Sequence, residues 1–248
     1  KINENIVLYL HNDPLSQKGS ISKNERIYLL NTTKKIIFIS NWVKNRFFLG
    51  IESLKCKTSN YKIIQHSTNK INISLKNKKK LIVFVGRLNK SKGYDIFGEA
   101  ILKILDKHND WKSVVYGDEP RENIVFNHKN LKIFGFKKHN QILKKLEIAS
   151  ISIACSRWEE PFGRTALEAS SRGCAVIISN RGGLPEAASY GIKLRILNST
   201  NLFKSIEKLI LNSNYRINLQ KKTLKKFNLS NEYICQKIDN YRENLIKS

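Results

Sequence analysis

Trp158-Glu159-Glu160-Pro161-Phe162-Gly163-Arg164-Thr165-Ala166-Leu167-Glu168 sets two carboxylates, Glu160 and Glu168, around a proline. Proline favours the first helical position, so the stretch predicts a helix opening at Pro161 with Glu160 as its N-cap. Glu168 then follows about two turns on, on the same face and roughly 10–12 Å along the axis. Two carboxylates that act across one glycosidic bond stand only about 5–9.5 Å apart, so this wider pair suits the two ends of a longer ligand. Between them the amides of Gly163, Arg164 and Thr165 would face outward at the positive end of a helix dipole, where an anion binds.

The rest of the chain sets bounds on that reading. Its 248 residues allow one large domain or two small ones with an apolar core. No run of about eighteen apolar residues suits a membrane-spanning helix, and the start carries no signal-peptide pattern. The four cysteines, Cys56, Cys155, Cys174 and Cys235, lack metal or redox spacing. Cys155 and Cys174 lie in apolar runs and are expected to be reduced core residues of a cytoplasmic protein.

The net charge of +25 comes from 34 Lys and 11 Arg against 20 acids. Phosphate recognition favours the two-pronged guanidinium, so a lysine-dominated, scattered surplus reads mainly as solvated surface. Its remaining use is peripheral contact with an anionic membrane, worth about 1 kcal/mol per residue held at such a surface. The chain contains no methionine, and Ile6–Leu10 already reads as a buried strand. These features predict a fragment or a processed chain.

Short β-like runs alternate with helix-like ones, the pattern of an α/β fold with mostly parallel strands. Strands are expected at Ile6–Leu10, Ile36–Ser40, Ile63–Gln65, Leu81–Val85, Ser113–Tyr116, Leu131–Phe134, Ile151–Cys155, Ala175–Ser179 and Ile192–Leu197. Helices are expected near Ser22–Asn31, Asn41–Leu49, after Gly93, at Ile142–Ala149, Leu202–Leu211, Tyr215–Phe227 and Asn231–Lys247. The segment after Gly93 carries Ile96, Phe97, Ala100, Ile101, Ile104 and Leu105 at helical spacing. Residues 67–80 are polar and form the best linker candidate.

Three motifs in order then carry a resemblance. Leu81-Ile82-Val83-Phe84-Val85-Gly86-Arg87-Leu88 running on to Lys92-Gly93 resembles a strand followed by G-R-L-x4-K-G. Glu160 to Glu168 matches E-x7-E, and Gly182-Gly183-Leu184-Pro185-Glu186 resembles G-G-x-P-E. Together they resemble the retaining glycosyltransferases of GT-B fold, family 4 (group 1), well over residues 36–190 and loosely at the ends. The resemblance implies a partial N-terminal Rossmann-like, acceptor-side domain with linker (1–75) and a complete C-terminal, nucleotide-sugar-binding domain (76–215). It also implies terminal helices (216–248), the last crossing back to the first domain.

The implied reaction moves a sugar from a nucleoside diphosphate sugar to a glycan or lipid-linked acceptor. No cofactor is implied beyond that co-substrate. The chain has no Asp-x-Asp, so fixed positive charge is expected to stabilise the leaving diphosphate instead of a metal. Arg87 and Lys92, beside Gly86 and Gly93 after an apolar strand, suit that task at the carboxyl edge of a parallel sheet. By resemblance Glu168 binds ribose, Glu160 the donor sugar and Phe136 the base; the helix-opening residues Phe162, Gly163, Arg164 and Thr165 line the same site. Phe162 reads equally as a packing residue, the two glutamates as a helix cap and an exposed helix residue, and Phe134 and Phe136 as core.

His11 follows the first strand, where a loop residue is well placed for function; the resemblance implies that it contacts the transferring sugar or acceptor, a lone His reads equally as structural, and Asp13 is a weaker candidate. His66, His108, His128 and His139 show no partner pattern. Gly117-Asp118-Glu119-Pro120 and His66-Ser67-Thr68-Asn69 depart from the family pattern. A sugar-nucleotide epimerase of the same architecture and a basic nucleic-acid-binding module are the competing classes. The second needs aromatics interleaved with a basic stripe, which the chain lacks, so nucleic acid is not an expected partner.

Overall fold

A computed structural model describes residues 6–55 and 60–246; Cys56 lies outside them. The chain divides into two compact units, Lys1–Ser67 with Asn231–Ser248, and Thr68–Ser230.

The first unit holds β1 (Val7–Leu10), α1 (Lys23–Thr32), β2 (Lys35–Phe38), α2 (Asn41–Phe48), α3 (Glu52–Lys55) and β3 (Tyr61–Ile63). The three strands form a parallel sheet in the order β1-β2-β3. Ile6 and Val7 are exposed, at 40% and 38%. Among the described residues the first strand pairs on one side only, with β2, and only its end is buried, in contrast to the buried strand its composition suggests. Ser22 opens α1 with a reciprocal capping box to Glu25. Arg26 of α1 is buried, and its guanidinium donates to the carbonyls of Phe47 (2.5 Å) and Leu49 (2.9 Å) at the end of α2. A buried cation is tolerable only when so satisfied, and here it joins two helices.

The second unit runs β4 (Lys79–Val85), α4 (Tyr94–Lys107), β5 (Lys112–Tyr116), β6 (Leu131–Ile133), α5 (His139–Ile148), β7 (Ala149–Ala154) and α6 (Arg164–Ser171). It continues through β8 (Ala175–Ser179), α7 (Leu184–Ala187), β9 (Ile192–Leu194), α8 (Ser199–Leu211) and α9 (Ser213–Lys226); α10 (Asn231–Ile246) follows and belongs to the first unit. The six strands lie in the order β6-β5-β4-β7-β8-β9, and every pair is parallel. This is a doubly wound sheet whose order reverses between β4 and β7, and ligands bind outside the carboxyl ends of strands at such a reversal.

The apolar spacing read after Gly93 becomes α4. Its Phe97, Ala100, Ile101 and Ile104 are fully buried in one cluster with Phe84, Val115, Ile153, Leu202 and Ile206. Among the described residues no helix is long and apolar enough to cross a membrane.

Cys155 and Cys174 are free and buried, and Cys235 is free and exposed. Burial pushes the Cys155 thiol up to about 12 and raises that of Cys174. Since the thiolate is the nucleophile, alkylation of the native protein by iodoacetamide is expected to label Cys235 while sparing Cys155 and Cys174. Peptide mapping by mass spectrometry reads the result, and label on Cys155 before unfolding would contradict its burial.

Candidate active site

The loops leaving β4, β5 and β6 are joined by their backbones. The Gly86 amide donates to the Tyr116 carbonyl (3.0 Å), Leu88 to Asp118 (3.3 Å) and Gly117 to Gly135 (2.9 Å). Gly117 sits at φ +131°, and a Cβ there would stand 1.9 Å from the Gly86 carbonyl oxygen. No side chain fits that approach. The departure of Gly117-Asp118-Glu119-Pro120 from the family pattern thus leaves the required glycine in place.

Beyond Arg87 the chain makes a short 3-10 turn over Lys90–Lys92, capped by the buried Asn89, whose side chain accepts from the Lys92 amide (3.0 Å). Asn89 also donates to Glu119 (3.2 Å), whose carboxyl Arg121 holds down at about 2. The Ser91 carbonyl accepts from the amides of Arg157 (2.8 Å) and Trp158 (3.0 Å) and from the Ser156 hydroxyl (3.0 Å). Gly93, at φ +73°, passes so close to β7 that a Cβ would lie 2.0 Å from the Cys155 carbonyl oxygen. The loops at the switch point are thereby locked together by main-chain contacts.

The motif helix opens later than Pro161. α6 begins at Arg164, with Gly163 at φ +100° as an N-cap that supplies no side-chain bond. The cause is long-range. The Gly183 amide donates to the Glu160 carbonyl (2.6 Å), and the Gly182 amide to the Glu159 carboxylate (2.5 Å). Cβ atoms at Gly182 and Gly183 would meet the Glu160 and Pro161 carbonyls at 2.2 and 2.3 Å. The paired glycines admit this backbone contact, so 159–162 stays out of the helix. Glu160 is accordingly a loop residue, not a helix cap. The Gly163 carbonyl takes the amides of Ala166 and Leu167 (both 3.1 Å), which leaves Arg164 and Thr165 as the amides with no carbonyl of this helix to bond.

The side chains follow. Lys92 and Glu160 form a half-buried ion pair, Nζ to Oε1, bringing two candidates from separate motifs into contact. Arg87 is exposed and makes no ion pair among the described residues. Glu168 is buried, at 6% exposure, which excludes the exposed-helix reading. Its Oε1 meets Nε2 of His139 at 2.9 Å and the guanidinium of Arg164 at 3.9 Å. His139, the first residue of α5, is the partner the sequence reading missed. Phe162 is buried, at 1% exposure, so its side chain packs. Phe136 is 78% exposed and Phe134 stacks on Tyr116 at 5.4 Å, so Phe136 is not a core residue.

In the first unit, His11 lies beyond the carboxyl end of β1, its Nδ1 3.0 Å from Nε2 of His66 and its ring 4.2 Å from that of Tyr9. Burial lowers its pKa. Asp13 is engaged structurally: Arg46 binds it two-pronged (3.1 and 2.9 Å), and it accepts from the Leu15 amide (3.1 Å).

The family model for glycosyl transferases group 1 matches residues 66–226. The chain belongs to that family. Among curated relatives, the spore coat protein SA of Bacillus subtilis is 33% identical over 129 residues, 46% of this chain and 33% of that protein. The 2-deoxystreptamine N-acetyl-D-glucosaminyltransferase of Niallia circulans is 30% identical over 120 residues, 46% of this chain and 31% of its own length. The matches thus span about a third of each relative. Among solved structures, Anabaena Alr3699/HepE in complex with UDP superposes with a TM-score of 0.77 at 16% identity, covering 96% of this chain and 72% of that one. A glycosyltransferase from Rickettsia africae gives 0.77 at 21% identity, over 98% and 71%. The fold is therefore of GT-B type.

Proposed function

We propose that this group 1 glycosyltransferase is a retaining, family 4 enzyme. It moves a sugar from a nucleoside diphosphate sugar to a glycan or lipid-linked acceptor of cell-surface polysaccharide or lipopolysaccharide assembly. The observation that carries the reading is the convergence, at one sheet's switch point, of an exposed Arg87, Lys92 and the open amides at the start of α6. That set suits a diphosphate. UDP and UDP-glucose complexes of a structural neighbour, Alr3699/HepE, support the same ligand class.

In this reading Arg87, Lys92 and the amides of Gly163, Arg164 and Thr165 take the diphosphate without a metal. Glu168 accepts from ribose hydroxyls, Phe136 lies along the base beside Gly86, and Glu160 contacts the sugar while holding Lys92. Phe162 contributes its backbone only. His11 serves the transferring sugar or acceptor. The departing phosphate oxygen takes the acceptor's proton, so no strong base is required. A cytoplasmic location, peripheral at the inner face of the plasma membrane, belongs to the same proposal and is supported by the two buried free thiols and the basic surface.

The test is nucleotide-sugar kinetics and binding with Arg87→Ala and Glu168→Ala in the intact protein. Each is expected to lose about tenfold or more in kcat/KM, the scale of one charge-assisted hydrogen bond. Unchanged kinetics in both would remove the assignment.

A further inference from the structure

A second cationic site lies away from the switch point. In parallel strands, residues in register share a face, as do residues two apart on one strand. The pairs Leu81↔Lys112 and Val114↔Lys132, with Lys112 and Val114 two apart, therefore place these four side chains on one face of the sheet. The opposite face carries Ile82 and Val115 into the main core beneath α4. The connection from β5 to β6, residues 117–130, contains no helix, and α5 contributes only Lys145 and Ile148 to the rim of the bare region.

What remains is a cavity of about 520 Å³ near the amino ends of the strands, with Lys79, Lys80, Lys112, Lys129, Lys132 and Lys145 in its lining and no acidic residue among its lining side chains. Lys80 pairs with Asp110; the other five form no ion pair among the described residues. Elsewhere in this unit cations repeatedly face acids, as in Lys92–Glu160, Lys107–Glu207, Arg157–Asp95 and Arg181–Glu159. Like charges gathered around one concavity repel one another and raise its local positive potential. Leu81 and Val114, nearly buried, give it an apolar floor.

We infer that this cavity binds a phosphate-bearing polyanion, as a site separate from the diphosphate cradle at the carboxyl edge. Its ammonium groups act as point charges on flexible stems, suited to several phosphate oxygens without fixed geometry. The ligand chemistry is the same for a soluble polyphosphate and for a phosphorylated lipid headgroup. Binding falls steeply with salt, since each lysine engaged displaces a counterion.

The experiment uses the intact protein, tripolyphosphate as the soluble probe, and phosphatidylcholine vesicles with and without phosphatidylglycerol. Lys112→Glu/Lys132→Glu tests the cavity. Lys221→Glu/Lys225→Glu, on the exposed side of α9, makes the same change in net charge elsewhere. Tripolyphosphate binding by calorimetry is expected to weaken about tenfold or more in the first variant and to hold within about twofold in the second. If only flotation with phosphatidylglycerol vesicles shows that difference, the phosphate is a lipid headgroup. Neither cavity lysine belongs to the proposed machinery, so glycosyl transfer in solution is expected to stay unchanged, and a normal melting curve checks folding. Absence of binding to both probes, or equal loss in the two variants, overturns the inference.

Discussion

Lys92→Ala is expected to lower turnover of a nucleotide sugar in the intact protein by about a hundredfold or more, the loss seen when one fixed donor to a developing anion is removed. Two effects add. In the proposed reaction the ammonium no longer meets charge building on the leaving diphosphate, and Glu160, half-buried against it, becomes an uncompensated negative charge beside that group. Lys92→Arg keeps the charge but replaces a point cation by a planar fork, so partial recovery is expected. The pairing predicts a further asymmetry. Lys92→Ala/Glu160→Ala should lose less than the sum of its single variants, because the second change removes a repulsion created by the first. Steady-state kinetics with circular dichroism decides the matter; turnover of folded Lys92→Ala within about threefold of wild type would remove Lys92 from the reaction.

The second large effect is on stability. Gly93→Ala asks a non-glycine residue to adopt φ +73° with its Cβ 2.0 Å from the Cys155 carbonyl oxygen. The left-handed conformation alone costs roughly 1–2 kcal/mol. The clash is with main chain rather than a flexible tip, so the loop after β4 must separate from that after β7, breaking the bonds at Ser91 that join them. Gly135→Ala supplies the control, since it sits at φ +62° with nothing within 4 Å of the added carbon. Thermal unfolding is expected to show Gly135→Ala lower by a few degrees and Gly93→Ala by roughly 10 °C or more, at about 2–4 °C per kcal/mol for a chain of this size. Equal shifts would mean that the close approach carries no cost.

These two residues mark what the sequence discloses. Apolar runs between polar turns are local signals, and they located the strands of the parallel sheet to within a few residues. The glycines of the three motifs were legible as punctuation, but their purpose was not: Gly93, and outside the motifs Gly117, make close approaches to Cys155 and Gly86 that no local pattern encodes. The start of α6 at Arg164, later than Pro161 predicts, has the same origin. Pro161 carries a genuine preference for a first helical turn, and Gly182–Gly183, some twenty residues away, override it by binding the backbone before it. The partner of Glu168 was also hidden. The apolar pattern of α5 begins at Ile142, whereas the helix begins at His139, in a polar turn whose hydrogen-bonding partner lies on another helix.

The second unit begins and ends at one place. Thr68 bridges Ser230, and its amide donates to the Leu229 carbonyl at 3.1 Å. Because these ends already meet, joining them covalently adds little loop-closure entropy. A circular permutant of residues 68–230, with its old ends spliced and a new break in the helix-free 117–130 connection, should therefore keep the same six-stranded order and give a self-contained module in which the proposed nucleotide site can be tested in isolation.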